Sequence, residues 1–126
     1  MPSIQETLRA VLGADTTLTA LVGDRIYPGE IPDDEAPTPW VYYLVPRSDP
    51  VDDLDDMPID VESEVEFHAL ADKYATAKEV IDAVTARIKS YADDVVKRSL
   101  WAGSTEDTTE EGYHHAARFR VWWVMR

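Results

Sequence analysis

The sequence predicts an α+β fold, a mainly antiparallel sheet of about five strands with one long helix and two short N-terminal helices packed on one face. Three observations carry this. First, Ile59–Ala69 alternates: Ile59, Val61, Val65, Phe67 and Ala69 share one side with Ser63, and Asp60, Glu62, Glu64, Glu66 and His68 share the other. Second, apolar residues spaced three and four apart between Asp72 and Ala92 mark an amphipathic helix of about six turns: Tyr74, Ala77, Ile81, Val84, Ile88 and Tyr91, widened by Val80. Third, strands lie in groups before and after this helix, which favours helices on one face of a sheet over alternating βαβ units.

Taken in order, Ser3 and Glu6 form a capping-box pattern, and Ile4, Leu8, Val11 and Leu12 fall on one helical face that Gly13 ends. Asp15 or Thr16 starts a shorter helix through Leu18, Leu21 and Val22, stopped by Gly23. Arg25–Tyr27 reads as a short strand cut off by Pro28, and the proline-rich, acidic stretch Gly29–Pro39 as a stiff surface loop. Trp40–Val45, aromatic and β-branched, reads as a strand covered on both faces and closed by Pro46. Arg47–Pro58 is expected to be an acidic loop. Beyond the long helix, Val95–Ala102 is expected as a strand, Gly103–Gly112 as an acidic polar loop and Tyr113–Met125 as the last strand. In that strand Tyr113, His115, Ala117, Phe119, Val121, Trp123 and Met125 oppose His114, Arg118, Arg120, Trp122 and Arg126. Neither an internal repeat nor a second domain is evident, so residues 1–126 are read as one domain.

Composition bounds the function. The chain has 126 residues, 44% of them hydrophobic, and 25 Asp+Glu against 12 Lys+Arg give a net charge of -13. This balance disfavours general nucleic-acid binding and anionic membrane surfaces. With no cysteine, disulfides, thiolate catalysis and cysteine-based metal sites are excluded. The longest apolar run, Trp40–Val45, is far too short to span a membrane, and Glu6 and Arg9 interrupt the N-terminal apolar residues. A protein made in the cytoplasm is expected.

Reactive chemistry is sparse. The carboxylates of Asp60, Glu62, Glu64 and Glu66 stand about 7 Å apart along one strand face, a spacing that suits an acid–base pair but equally a solvated or partner-facing surface balanced by Arg118 and Arg120. An EF-hand reading from Asp53 through Asp55 to Glu64 fails because Pro58 stands where the loop needs glycine. His114 and His115 point to opposite faces and cannot close on one ion, and His68 beside Glu66 is a poor zinc pair. No nucleophile elbow, phosphate loop or H-E-x-x-H occurs. No catalytic residue, metal ligand or cofactor is therefore assigned.

Two runs carry a family resemblance. Leu18-Thr19-Ala20-Leu21-Val22-Gly23-Asp24-Arg25-Ile26-Tyr27-Pro28, followed by Ala36-Pro37-Thr38-Pro39-Trp40-Val41-Tyr42-Tyr43, resembles the tail terminator (tail completion) proteins of long-tailed, siphovirus-like phages and related viruses. There an L-x-x-L-V-G-x-R-I-Y-P turn precedes an A-P-x-x-x-P-Y-V-x-Y-like strand, a variable loop, an alternating strand, a long helix and a hairpin with a basic, aromatic last strand. Trp40 stands where tyrosine is usual, and the Asp49–Asp56 loop is unusually acidic.

The resemblance implies a non-enzymatic virion protein of the tail or neck. It implies a homo-hexameric ring at the head-proximal end of the tail tube, which stops tube polymerisation and joins the tail to the head connector. The partners would be the major tail tube protein and the head-completion (connector) protein, with DNA only as cargo passing through a conduit with an acidic wall, and no membrane. The expected lumen or interface residues are Asp60, Glu62, Glu64, Glu66, Arg118, Arg120 and Trp122. The loop holding Asp52, Asp53, Leu54, Asp55, Asp56 and Met57 is expected to touch an adjacent subunit or the tube. Another neck protein (a head-closure or adaptor subunit) and a small cytoplasmic enzyme or ligand binder using the acidic strand are the alternatives.

Overall fold

Each of the first two helices forms where its apolar face dictates, and the second also where its caps do; Ser3, expected to cap the first, lies outside the described residues. In the computed structural model, which describes residues 4–29, 38–50, 59–89, 91–93, 96–109 and 112–125 (backbone alone at 50, 59, 60, 109 and 125), α1 spans Ile4–Gly13 and α2 spans Thr16–Val22. The Asp15 carboxylate accepts from the Thr17 and Leu18 N–H groups at 2.9 and 3.2 Å, satisfying donors the first turn leaves open. Gly23 ends α2 at φ 63°, a conformation that side chains with a Cβ seldom adopt.

The sheet contains β1 (Ile26–Pro28), β2 (Trp40–Pro50), β3 (Ile59–Ala71), β4 (Val96–Thr109) and β5 (Gly112–Met125), in the order β1-β2-β3-β5-β4. Only β1 and β2 run parallel; the other neighbours are antiparallel. Between β3 and β4, α3 (Tyr74–Ile88) crosses the sheet, and β5 returns into the gap that this crossover leaves.

All three helices contribute to one core with one face of the sheet. Val80, Ile81, Val84 and Ile88 of α3 join Val61, Val65 and Phe67 of β3 and Phe119, Val121 and Trp123 of β5 in it. Phe67 and Phe119 meet edge to face at 5.7 Å, an arrangement that suits their ring quadrupoles. Ser63, the polar member of the inward row, is fully buried because it accepts the Trp123 Nε1 hydrogen at 2.8 Å and pairs with the Ser48 hydroxyl at 2.6 Å. Tyr43 ties α1 to the sheet by donating to the Gln5 carbonyl at 2.9 Å, and its burial pushes its pKa up to about 12.

Apart from shifts of one or two residues, such as the extension of β3 to Ala71, several features differ from the sequence reading. Pro46 does not close β2: the strand continues to Pro50 through a bulge between Leu44 and Arg47. Here β2 has already passed the end of β1, and a proline at a sheet edge removes no ladder bond. Nor is β2 covered on both faces, since Tyr42 and Leu44 are only half-buried on the side away from the helices. Gly103–Thr109, expected as loop, belongs to β4 and pairs with β5 as far as Gly112. Its polarity records exposure at an edge strand rather than loss of pairing. Finally, α3 is shorter than expected and ends at Ile88; Tyr91 still packs against the core, which prolongs the apolar period beyond the helix. Val96 N–H donates to the Asp93 carboxylate at 2.7 Å, and Asp93 N–H to the Val96 carbonyl at 2.8 Å, locking the entry to β4. Pro28, expected to cut off β1, is instead its last residue.

Candidate assembly surface

The face of the sheet away from the helices gathers the candidate residues. Across β2, β3, β5 and β4 the rungs read Asp49–Glu62–Trp122–Arg98, then Arg47–Glu64–Arg120–Leu100, then Leu44–Glu66–Arg118–Gly103. On the β5 side each β3 carboxylate thus faces a cationic or aromatic side chain, whereas on the β2 side the partners are Asp49, Arg47 and Leu44. Arg120 reaches Glu62 at 3.9 Å, Arg47 binds Asp49 at 2.7 Å, and Arg98 lies 5.5 Å from the centre of the Trp122 ring. These exposed pairs contribute little stability. Their effect is on the surface: the acidic row of β3 (Glu62, Glu64, Glu66) lies beside the basic pair Arg118 and Arg120 of β5, so that charge alternates across the strands.

Six of the seven expected lumen or interface side chains therefore share this surface, with Trp122 half-buried among them. Asp60 occupies the next rung on β3, opposite Val124, and its side chain lies outside the described residues. Asp52, Asp53, Leu54, Asp55, Asp56 and Met57 also lie outside them, as does Arg126.

Toward the other end, the same face turns aromatic. Trp40, Tyr42, His68 and His114 form a row of neighbouring rings, with Tyr42 and His68 stacked at 4.7 Å and His68 and His114 at 5.0 Å. Both His68 ring nitrogens are engaged, Nε2 with Glu66 at 3.1 Å and Nδ1 with His114 Nε2 at 2.9 Å. Burial, reinforced by His68, lowers the His114 pKa, while Asp107 opposes the shift. The sequence separated His114 from His115 by strand alternation, and His115 is indeed buried on the helix side, 3.8 Å from Glu106. The contact between His68 and His114 was not foreseen. It requires β3 and β5 to be neighbours, which the crossover decides and no local pattern announces. Among the described residues, no three candidate ligands come together as a metal site, and no helix is long and apolar enough to cross a membrane.

None of the curated proteins matches this chain. Among solved structures, a chain from the virion of a native gene transfer agent particle superposes with a TM-score of 0.77. The match covers 98% of this chain and 96% of that one, at 19% sequence identity, so it establishes a shared fold. The family described as tail completion protein gp17 matches residues 6–124, from the first helix to the end of β5. A match of this extent, on a chain whose catalogue of reactive groups is so thin, leaves one assignment: the chain belongs to the tail completion protein gp17 family.

Proposed function

We propose that this protein is a structural, non-enzymatic virion subunit of the tail or neck. Six copies form a ring at the head-proximal end of the tail tube, stop its polymerisation and join the tail to the head-completion protein. The observation that carries this reading is the family match over residues 6–124, and the virion chain of the same fold supports it. The exposed sheet face suits a conduit in one respect. DNA adheres to clustered cations through counterion release, and here Arg47, Arg118 and Arg120 are interleaved with Asp49, Glu62, Glu64 and Glu66. A wall of balanced charge lets a polyanion pass without holding it. The segment 52–57, with its four aspartates and with Leu54 and Met57 as apolar contact points, is the proposed contact with the next subunit or the tube.

Native mass spectrometry over a range of concentrations tests the ring and should show a six-fold species. Removal of the gene from a producing strain tests the role: over-long tails are the expected result, whereas full heads without tails would assign the chain to head closure instead. Deleting Val51–Asp56 should leave a folded subunit that neither forms rings nor terminates tubes.

A further inference from the structure

Among the described residues, both lateral edges of the sheet carry an uncovered stretch of similar length at the same height. On one side, β1 pairs with β2 only along Val41–Tyr43, so among the described residues Val45–Pro50 has a strand on one flank alone. On the other side β4 is the outermost strand; its bulge between Trp101 and Gly103 sets off the segment Val96–Trp101, which has a second bulge at its start between Val96 and Arg98 and runs regularly from Arg98 to Trp101. The two bulges coincide in height. That of β2 falls between the rungs of Glu66 and Glu64, and that of β4 between the rungs of Arg118 and Phe119, which face Glu66 and Val65.

Placing a second copy edge to edge at equal height runs its β4 antiparallel to β2 of the first. The rungs then set Arg98 of one copy against Asp49 of the other, and Leu100 against the aliphatic stem of Arg47. Leu100 and Trp101 are 40% and 48% exposed, and Tyr74 is the other large hydrophobic side chain so exposed among the described residues. A strand edge carrying such side chains is a template for pairing. We infer that subunits join head to tail, β4 of one against Val45–Pro50 of the next, so that the sheet continues from subunit to subunit. This rests on the ring reading above. The two edges are different surfaces, and a ring is what a heterologous contact forms when its rotation closes. A two-fold β4–β4 contact would also oppose Arg98 and Asp107, but it would centre on the bulge between Trp101 and Gly103, where the edge twists away.

The chain has no cysteine, which makes cross-linking a clean test. A variant with Asp49→Cys and Arg98→Cys should give, after mild oxidation, a ladder of covalent multimers extending to the full ring. Asp49→Cys with Asp107→Cys should give none, because Asp107 lies on the rung of Leu70, about 26 Å up the sheet from Asp49. Separately, Arg98→Glu should raise the concentration needed for half-assembly at least tenfold, and adding Asp49→Arg should restore it. The restored double variant also shows that the single one failed at the contact and not in folding. Rings by mass spectrometry without the cysteine ladder would overturn the edge contact and leave the ring reading standing. Covalent dimers alone from Arg98→Cys with Asp107→Cys would overturn it in favour of β4–β4 pairing. A subunit that stays monomeric at every concentration, even with tail tubes present, would overturn both.

Discussion

The His68–His114 contact shows what a single residue contributes to this surface and how its charge is controlled. His68 Nδ1 and His114 Nε2 lie 2.9 Å apart, so one hydrogen serves both and double protonation would set two cations against each other. Glu66 holds the far side of His68, Tyr42 stacks on it, Asp107 is the acid acting on His114, and His115 adds a further unfavourable charge when protonated. The His114 pKa is lowered in the folded chain, by burial first and His68 second, while the unfolded chain takes up its proton near pH 6.5. Stability from this group is therefore complete above about pH 6.5 and is lost as the pH falls from there through the lower folded value. Partial solvent access keeps that loss small. Melting temperature should be level above neutrality and begin to fall as the pH drops below about 6.5, before the carboxylates titrate. His114→Gln, which can still bond His68 but does not titrate, should flatten that decline. An unchanged slope in this variant would place the sensitivity elsewhere. Ser63 teaches a related lesson. Its row predicted that it faces the core, but only the fold reveals that Trp123 and Ser48 are what make a buried hydroxyl affordable.

At the scale of the element, period was legible and endings were not. From Val61 to Ala69 in β3, from His115 to Trp123 in β5 and from Ala77 to Ile88 in α3, the inward rows stand as the sequence indicates, because each is imposed by burial along a regular repeat. Strand ends depend instead on which neighbour is present to pair. Pro46 and the polar run Ser104–Thr109 read locally as breaks, yet both lie in strands that β3 and β5 hold from one side. Gly112 illustrates the same dependence. It starts β5 at φ 141°, and a Cβ placed there would run into the backbone carbonyl of Ala71, where β3 ends. Both the dihedral and the close approach require glycine. Gly112→Ala should therefore destabilise the protein by roughly 1–3 kcal/mol, read as a lower denaturation midpoint with unchanged slope. Gly103→Ala is the matched control, since φ is 128° there but nothing lies within 4 Å of the added carbon. Equal losses in the two variants would mean that the Ala71 approach contributes nothing.

Over the whole molecule, the net charge of -13 is not spread evenly. On the exposed sheet face acids and arginines nearly balance, whereas Asp33-Asp34-Glu35, Asp52-Asp53, Asp55-Asp56 and Glu110-Glu111 fall outside the described residues, between successive strands. The acidity thus belongs chiefly to the connections, and the sheet surface that the sequence suggested as an acidic wall is a mixed one. Two electrostatic effects then compete when subunits meet. Like-charged copies repel as wholes, a long-range effect that salt removes once the Debye length falls below their separation, about 10 Å at 0.1 M. Local opposite pairs such as Arg98 with Asp49 attract, but at an exposed rim they fix register and add little affinity. Repulsion between highly acidic subunits should outweigh a few rim pairs, so the proposed ring should assemble more readily as ionic strength rises from about 0.05 to 0.5 M. Mass-resolved size measurements at fixed protein concentration check this. A hexamer fraction that rises with salt and then levels is the expected result; one that falls throughout would mean that specific ion pairs, rather than apolar and backbone contacts at the strand edges, hold the ring together. A melting temperature that climbs into molar salt without levelling would instead identify the acidic connections as an adaptation to high salt.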